Sequence, residues 1–484
     1  MKIELFFLLL CARSILSHDK FLNNADGYLK LLQRTYVTGY EGGVADDEDC
    51  GEPLILTPYI EKNKTSEARL AASVNSSYFV PGIVSYAGYL TVNEEFNSNL
   101  FFWYFPVMNK PVNETPLILW LQGGPGSSSM YGLFEELGPY TVTKDLKVQA
   151  KEHSWSKDHS LLFIDNPVGT GFSFTDSDDG YSTNQTTIGE NLYKALQQFF
   201  QIFPELRKAP LILAGESYAG KHVPSLAIQI HWHKNKSQPI NLQGLAIGNG
   251  YVDPVTLQTF SYVAKEMGIL DDDKANDLRK IEENVVKCIN EQKLNQAFEY
   301  QSDAMESLHI NTLLPNPYNI LSNEMDLGGW YVMFLQKPEV RRALHVGNST
   351  FDNFGKVYQN LVPDFMNSAK GWLEELLDHY RVLMYNGHLD TVVAYHPSVN
   401  TYNSLSFADA DKYKNSIREV WIEDDTVAGY HKRAGNFWEV MVRNAGHMVP
   451  IDRPAEALKL ISAFALDLPL TTYLLEEVST VFNQ

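Results

Sequence analysis

From about residue 80, short apolar runs alternate along the chain with longer segments of helical periodicity. The apolar runs lack polar alternation, as expected for strands that are buried on both faces of a sheet. Apolar residues at helical spacing from 188 to 203, and a second such segment from 219 to 232, predict helices between these strands. The pattern predicts an α/β fold, with a mostly parallel central sheet flanked by helices. The four buried strands are predicted at residues 116–121, 160–165, 210–214 and 242–247.

This alternation breaks between residues 251 and 350, where the sequence is helical and charged. Strand patterns lie on both sides of the break, so the break is interpreted as a helical cap insertion in one domain. The predicted division is a core at 81–250, the cap at 251–350 and the rest of the core at 351–484. The flanking strands are predicted at 84–92, 100–107, 380–385 and 437–442, and a last helix near 454–466.

The amino terminus has the features of a secretory signal. Lys2 precedes an apolar run from Leu5 to Ala12, and small residues follow, so residues 1–17 are predicted to be a signal peptide. Neither this run nor any later one is long enough to span a membrane. Residues 18–80 are polar and irregular, and they are predicted to form a leader or a pro-segment. These features predict a protein of the secretory pathway, secreted or lysosomal.

Charge, cysteines and sequons refine this interpretation. The 484 residues include 39 Lys and Arg against 59 Asp and Glu, a net charge of −20, which argues against nucleic acid as the main partner. Cys50 and Cys288 remain after removal of the signal peptide, so one intramolecular disulfide or two thiols are both open. Asn-x-Ser/Thr sequons predict N-glycosylation. They begin at Asn63, Asn75, Asn113, Asn184, Asn235 and Asn348.

The sharpest local motif is GESYAG at residues 215–220, which follows a predicted buried strand and opens a predicted helix. In this context a GxSxG-like sequence forms a nucleophile elbow, a tight turn that lifts a Ser hydroxyl above the sheet. Ala219 stands in place of the second Gly, so the motif is a variant. We predict that Ser217 is a catalytic nucleophile, and the alternative is a purely structural turn.

A catalytic Ser needs a base and an acid that orients the base, and in this fold they follow in the order Ser, Asp, His. Asp390 and His447 each come directly after the predicted carboxyl end of a strand, where sites gather in open α/β sheets. We predict His447 as the base and Asp390 as its acid. His388 is the alternative base, although it lies only two residues from the proposed acid.

An acyl intermediate also needs two N–H donors for its oxyanion. The backbone N–H of Tyr218, directly after the nucleophile, is one candidate. The Gly-rich loop at 122–129 (QGGPGSSS), which follows an early strand, is predicted to supply the other. This loop lacks the Gly-Lys-Ser/Thr ending of a phosphate-binding loop.

Six motifs in the same order resemble the serine carboxypeptidases, an α/β-hydrolase family. Gln122 and the string YAGYLTVN (86–93) resemble the vitellogenic-carboxypeptidase-like branch most. The resemblance implies release of carboxy-terminal amino acids from peptides and proteins through an acyl-enzyme, favoured at acidic pH, without a metal or organic cofactor. The motifs are WLQGGPGSSS (120–129), DNPVGTGFSF (165–174), GESYAGKHVP (215–224), IGNG (247–250), YNGHLD (385–390) and NAGHMVP (444–450).

The resemblance also assigns individual site residues. It implies that the backbone N–H groups of Gly124 and Tyr218 bind the oxyanion. The carboxylate of the substrate is bound, in the same resemblance, by Gln122, Gly123, Glu136 and Glu216. Neighbouring carboxyls raise each other's pKa, so a Glu here is predicted to be protonated and to donate a hydrogen bond to that carboxylate.

Two positions depart from the family pattern. Gln122 stands where the family usually has Asn, and Ser127 stands where it usually has Cys, so that family disulfide is absent.

Two alternative functions stay open: an acyltransferase that uses the same machinery, and a catalytically inactive secreted binding or storage protein. Because family members are often dimers, the resemblance also suggests a homodimer.

Overall fold

One large β-sheet organises the molecule. The computed structural model describes residues 49–235, 237–323, 329–351, 354–470 and 472–473. The predicted signal peptide and residues 18–48 of the predicted leader lie outside the described residues. In chain order the strands are β1 (Tyr86–Asn93), β2 (Ser98–Phe105), β3 (Leu117–Leu121), β4 (Tyr140–Val142), β5 (Val148–Ala150), β6 (Ser160–Ile164), β7 (Leu211–Glu216), β8 (Leu242–Gly248), β9 (Arg381–Gly387), β10 (Glu419–Glu423), β11 (Thr426–Ala434), β12 (Phe437–Val442) and β13 (Thr472–Tyr473).

The main sheet has the strand order β1-β2-β6-β3-β7-β8-β9-β12-β11-β10-β13. Its six central strands, from β6 to β12, are parallel, and antiparallel strands extend both edges. The predicted α/β architecture with a mostly parallel sheet is therefore confirmed. The antiparallel strands β10 and β11 were not predicted, because both are partly exposed and lack a continuous apolar run.

Helices cover both faces of the sheet. Along β3 and β7, Leu119 and Leu213 belong to the core on one face, and Ile118 and Ile212 to the core on the other. Long helices α4 and α5 pack on the first face through apolar stripes. The helices are α1 (Thr57–Glu61), α2 (Thr65–Ala71), α3 (Ser129–Tyr131), α4 (Gln185–Ile202), α5 (Ala219–Trp232), α6 (Phe260–Glu266), α7 (Asp272–Asn290), α8 (Leu294–Thr312), α9 (Trp330–Leu335), α10 (Pro338–Ala343), α11 (Gly355–Phe365), α12 (Lys370–Leu377), α13 (Tyr395–Ser404), α14 (Ala410–Asn415), α15 (Val449–Asp452) and α16 (Pro454–Ala465).

The segment between β8 and β9 is helical, as the charged pattern predicts. Asp271 caps α7, since its side chain accepts a hydrogen bond of 2.8 Å from the backbone N–H of Lys274. Helices α7 and α8 pack against each other. The helical part continues beyond the predicted boundary at 350, through α11 and α12. The domain boundaries themselves stay predictions.

The described part of the predicted leader, residues 49–80, packs against the sheet. Leu56 and Ala68 are fully buried in the core. The backbone N–H of Leu56 donates to the carbonyl of Tyr89 in β1 at 2.9 Å, and the N–H of Tyr89 donates to the carbonyl of Leu54 at 3.0 Å. Helices α1 and α2 therefore replace the irregular chain expected here, because a few apolar positions suffice to anchor short helices.

The structure also bears on the disulfide that the sequence left open and on membrane-spanning segments. Cys50 and Cys288 both lie within the described residues, are buried, and are not joined by a disulfide. Among the helices of the described ranges, none has the length and apolar content that crossing a bilayer requires.

Candidate active site

The turn between β7 and α5 has the geometry of a nucleophile elbow. Ser217 has a φ of +61°, a left-handed conformation that non-glycine residues seldom adopt. Its backbone N–H donates to the carbonyl of Gly248 at 3.0 Å. Ser217 is partly exposed, whereas its neighbours Glu216 and Tyr218 are buried. The turn therefore presents one side chain, that of Ser217, to the surface above the sheet.

The Gly-rich loop lies directly against this elbow. A Cβ atom on Gly123 would come within 2.7 Å of both Ser217 Cβ and the backbone nitrogen of Tyr218. Gly124 has a φ of +109° and lines the same pocket as Ser217 and Tyr218. Glycine at both positions therefore permits the loop backbone to approach the Ser side chain.

A buried carboxyl holds the Gly-rich loop in place. Asp165 Oδ1, at the end of β6, accepts hydrogen bonds from Ser128 Oγ at 2.6 Å and from the backbone N–H of Ser129 at 3.0 Å. Burial raises the pKa of Asp165 to about 7, against opposing hydrogen bonds. The sequence shows DNPVG as a motif, but the role of its Asp as an anchor depends on tertiary contact.

Asp390 and His447 meet at the carboxyl ends of β9 and β12. His447 Nδ1 lies 2.7 Å from Asp390 Oδ2, and both side chains are buried. The backbone N–H groups of Val392 and Val393 donate to the same carboxylate at 2.7 and 3.1 Å. In the tautomer with the proton on Nδ1, His447 donates to Asp390 Oδ2 and its Nε2 has a lone pair.

His447 Nε2 is buried and makes no hydrogen bond to any described residue. Tyr318, whose ring centroid lies 5.1 Å from that of His447, lines the pocket that contains Ser217. The backbone N–H of His447 donates to the Tyr318 carbonyl at 2.7 Å. Catalytic hydrogen bonds are often unformed in a free enzyme, so an unoccupied Nε2 beside this pocket is available to a Ser hydroxyl or to substrate.

The alternative base, His388, is occupied elsewhere. Its Nδ1 accepts a hydrogen bond of 3.1 Å from the backbone N–H of Asn444. Burial lowers the pKa of His388, which favours the neutral ring. Asp390 thus pairs with His447, and the two-residue spacing does not bring His388 to the same carboxylate.

Sequence reasoning missed Asn249, which belongs to this site. Its side-chain Nδ2 donates to Asp390 Oδ2 at 2.7 Å, and its Oδ1 accepts from the backbone N–H of Gly387 at 3.1 Å. Asn249 lies in the motif IGNG just after β8, at the same sheet edge as Asp390 and His447. That position was the available signal, but an Asn after a strand is too common to identify alone.

Gln122, Glu136 and Glu216 form a buried polar cluster next to the elbow. Gln122 Nε2 donates to Glu136 Oε1 at 3.0 Å and to Glu216 Oε1 at 3.3 Å. The amide oxygen of Gln122 is also hydrogen-bonded, since Trp120 Nε1 donates to Gln122 Oε1 at 2.8 Å. Oε2 of each Glu is buried without a hydrogen-bond partner among the described residues.

Burial and the proximity of the two carboxyls disfavour ionisation of both. Burial, and then the charge of Glu136, raise the pKa of Glu216 well above its usual value. Burial also raises the pKa of Glu136, against hydrogen bonds to Glu216 and Gln122 and the charge of Lys151. At acidic pH the cluster therefore has a protonated carboxyl, which is a hydrogen-bond donor.

Beside Ser217 lies a pocket between the sheet edge and the helical insertion. Aromatic rings make up much of its wall, and helix α8 contributes one side. The lining residues are Gly124, Ser217, Tyr218, Tyr251, Phe260, Phe298, Gln301, Ser302, Met305, Tyr318, Phe365, Val392 and Val393.

The six sequon asparagines all lie within the described residues. Five are exposed, whereas Asn184 is partly buried and its Oδ1 caps α4 by accepting from the backbone N–H of Thr187 at 2.9 Å. Glycosylation at these positions stays a prediction. The exposed positions are Asn63, Asn75, Asn113, Asn235 and Asn348.

Curated relatives cover most of the chain. The venom serine carboxypeptidase of Apis mellifera is 45% identical over 86% of this chain and 92% of its own length. The vitellogenic carboxypeptidase of Aedes aegypti is 43% identical over 86% of this chain and 90% of its own length. The probable serine carboxypeptidase CPVL of Homo sapiens is 41% identical over 91% and 94%. The predicted resemblance to the vitellogenic-carboxypeptidase-like branch is confirmed.

A solved structure and a family match agree with these relatives. The crystal structure of Kex1(delta)p, a prohormone-processing carboxypeptidase from Saccharomyces cerevisiae, superposes with a TM-score of 0.73. It is 26% identical and covers 82% of this chain and 96% of its own. The serine carboxypeptidase family (Peptidase_S10) matches residues 78–467, which include every proposed catalytic residue. The chain therefore belongs to the serine carboxypeptidase family, a family of serine hydrolases with the α/β-hydrolase fold.

Proposed function

We propose that this serine carboxypeptidase releases carboxy-terminal residues through a covalent acyl-enzyme, with Ser217, His447 and Asp390 as the catalytic triad. The observation that carries the proposal is the buried Asp390–His447 pair, with a 2.7 Å contact and an unoccupied Nε2. It lies beside a pocket that contains Ser217 in the strained conformation of a nucleophile elbow.

In the proposed first step, His447 Nε2 accepts the Ser217 hydroxyl proton as Oγ attacks the carbonyl carbon of the last peptide bond. The backbone N–H groups of Gly124 and Tyr218 bind the resulting oxyanion. His447 then donates its proton to the leaving amine, and the last residue departs. Water, activated in the same way, cleaves the Ser217 ester and frees the shortened peptide acid.

Recognition of a free carboxy terminus is proposed for the Glu cluster. Gly123 and the Gln122 amide are the neutral donors proposed there, and protonated Glu216 is a third. The Oε2 atoms of Glu136 and Glu216, which have no hydrogen-bond partner among the described residues, support this role, because most buried polar atoms have a partner and a protonated Oε2 can donate to a substrate carboxylate. Protonation is required for donation, so we propose acidic pH as the working range.

A serine-directed phosphonate probe tests the nucleophile. We expect labelling of the wild type at one residue, loss of labelling in Ser217→Ala, and unchanged labelling in Ser66→Ala, an exposed serine on α2. A peptide incubated at about pH 5 should then lose residues one by one from its carboxy terminus. Labelled Ser217→Ala, or cleavage only inside the peptide, would refute the proposal.

The same assay separates the two alternatives. When a small alcohol or amine is added, an acyltransferase should form the ester or amide of the shortened peptide. A carboxypeptidase should form mainly the free acid. An inactive binding protein would neither be labelled by the probe nor shorten the peptide. The intact set of Ser217, His447 and Asp390 supports the hydrolase.

We also propose that the protein works in the secretory pathway, either secreted or in a lysosomal compartment. Support comes from the predicted signal peptide and from the exposure of five sequon asparagines. Treatment with an N-glycosidase should lower the apparent mass of the protein isolated from its source. A homodimer stays a prediction, which sedimentation can test.

A further inference from the structure

We infer that Gln301, on helix α8 of the insertion, is a specificity-determining residue that selects substrates with tyrosine at the penultimate position. The inference deepens the proposed carboxypeptidase function and rests on it. It starts from a buried hydrogen-bond acceptor that has no donor among the described residues and that lines a pocket rich in aromatic rings.

Gln301 is 93% buried, since 7% of its surface is exposed, and it lines the pocket that contains Ser217. Its Oε1 has no hydrogen-bond partner among the described residues. The neighbouring polar side chain on the helix, Ser302, donates its hydroxyl to the carbonyl of Phe298 at 3.0 Å. A buried amide oxygen without a donor is unfavourable, so a ligand that brings a donor to it gains a hydrogen bond at little cost.

The rest of the pocket defines what that ligand must look like. The rings of Tyr218, Phe260 and Phe298 line it, together with Tyr251 and Phe365. Within the described part of the chain, none of the lining residues is charged. A flat apolar group fits such walls, and a charged one would lose its hydration without compensation. An aromatic ring that ends in a hydroxyl group combines both requirements, which is the chemistry of a tyrosine side chain.

The position of the pocket indicates that the substrate side chain bound there belongs to the acyl part of the substrate, the part that becomes esterified to Ser217. Tyr218 and Gly124, the proposed oxyanion donors, line the pocket, but Glu136 and Glu216, the proposed carboxylate-binding residues, do not. The leaving residue must place its carboxylate at the Glu cluster. The residue that is esterified to Ser217, the penultimate one, is therefore the one that places its side chain beside Tyr218.

Three blocked dipeptides test the inference: benzyloxycarbonyl-Tyr-Leu, benzyloxycarbonyl-Phe-Leu and benzyloxycarbonyl-Lys-Leu. The Tyr and Phe peptides differ by one hydroxyl group. We expect wild-type kcat/KM to be about fivefold higher for Tyr than for Phe, the effect of one neutral hydrogen bond. The Lys peptide should be on the order of 100-fold poorer than Phe, because its charge would be desolvated.

Gln301→Met removes the acceptor while keeping the side-chain length, so the Tyr-to-Phe ratio should fall to about one. Gln296→Met makes the same change at an exposed position of the same helix and should keep the wild-type ratio. A wild-type ratio near one, a ratio unchanged in Gln301→Met, or a Lys peptide as good as Phe would overturn the inference. If the wild type cleaves the Phe peptide and Ser217→Ala does not, the proposed function stands regardless. If the wild type cleaves none of the three, the function itself fails.

Discussion

Asn249 Nδ2 lies 2.7 Å from Asp390 Oδ2, the same oxygen that faces His447 Nδ1. The amide orientation is set by a second bond, from the backbone N–H of Gly387 to Asn249 Oδ1. The buried carboxylate of Asp390 is thus held by the Asn249 side chain just after β8, by backbone N–H groups and by the imidazole of His447. Its position relative to the base depends on residues from three separate strand ends.

We predict that Asn249→Leu lowers kcat/KM by about 10- to 100-fold, because a hydrogen bond to a buried charge contributes about 1.5–3 kcal/mol. KM should change little, since Asn249 does not line the pocket. Steady-state kinetics on a blocked dipeptide measure both, and thermal unfolding monitors folding. A folded variant with activity within twofold of wild type would contradict the role assigned to Asn249.

The two histidines near Asp390 should differ strongly in their effect. His447→Ala removes the proposed base and should reduce kcat by at least about 10⁴-fold. His388→Gln should stay within about twofold of wild type, because the His388 ring bonds to backbone groups of Asn444 and Val442 and not to Asp390. Comparable losses in both variants would reopen the assignment of the base.

Glu216 should set the pH dependence of binding to free carboxy termini. Its raised pKa means that the carboxyl donates a hydrogen bond at acidic pH, and that it becomes a repelling carboxylate as the pH rises through that pKa. KM for an acid-ended peptide should therefore rise by up to about tenfold per pH unit above the pKa, whereas KM for the peptide amide should not.

Glu216→Gln provides the control for this pH effect, since the amide donates a hydrogen bond at every pH. Its KM profile for the acid-ended peptide should be flatter than that of the wild type. Identical wild-type profiles for the peptide and its amide would contradict the proposed carboxylate site. The raised pKa also implies that this group's contribution to stability falls as pH rises, because the folded state retains a proton that the unfolded state has released.

Lys221 predicts the opposite pH dependence of stability from Glu216. Its Nζ is fully buried and donates to the carbonyls of Asp364 at 3.1 Å and Phe365 at 2.6 Å, and burial lowers its pKa to about 7. From pH 7 towards 10.5 the unfolded chain holds a proton that the folded protein has lost, so stability rises with pH over this window.

Thermal unfolding at pH 6 and pH 9 tests this prediction. The stability of the wild type relative to Lys221→Met should increase by about 2–3 kcal/mol between these pH values. Lys414→Met, at an exposed lysine, should show no such change. A stability difference for Lys221→Met that is independent of pH would contradict a lowered lysine pKa.

The order of strands and helices was largely predictable from the sequence, for a definite physical reason. Strands such as β3 and β7 are buried on both faces, so β3 and the first four positions of β7 form continuous apolar runs that are visible in the sequence. Ser217, Asp390 and His447 could be located because each follows such a strand, and the carboxyl ends of parallel strands meet at one edge. Partly exposed strands such as β10 leave no comparable pattern.

Tertiary contact alone decided the rest. Only the fold shows that Asp390 pairs with His447 rather than His388, that Asn249 supports the acid, and that Gln301 enters the pocket from a helix over 80 residues beyond Ser217. Hydrogen bonds and burial depend on distances between segments that are remote along the chain, and a linear sequence does not contain those distances. The raised pKa of Glu216 has the same origin, because a carboxyl titrates abnormally only once folding has removed its water and placed Glu136 beside it.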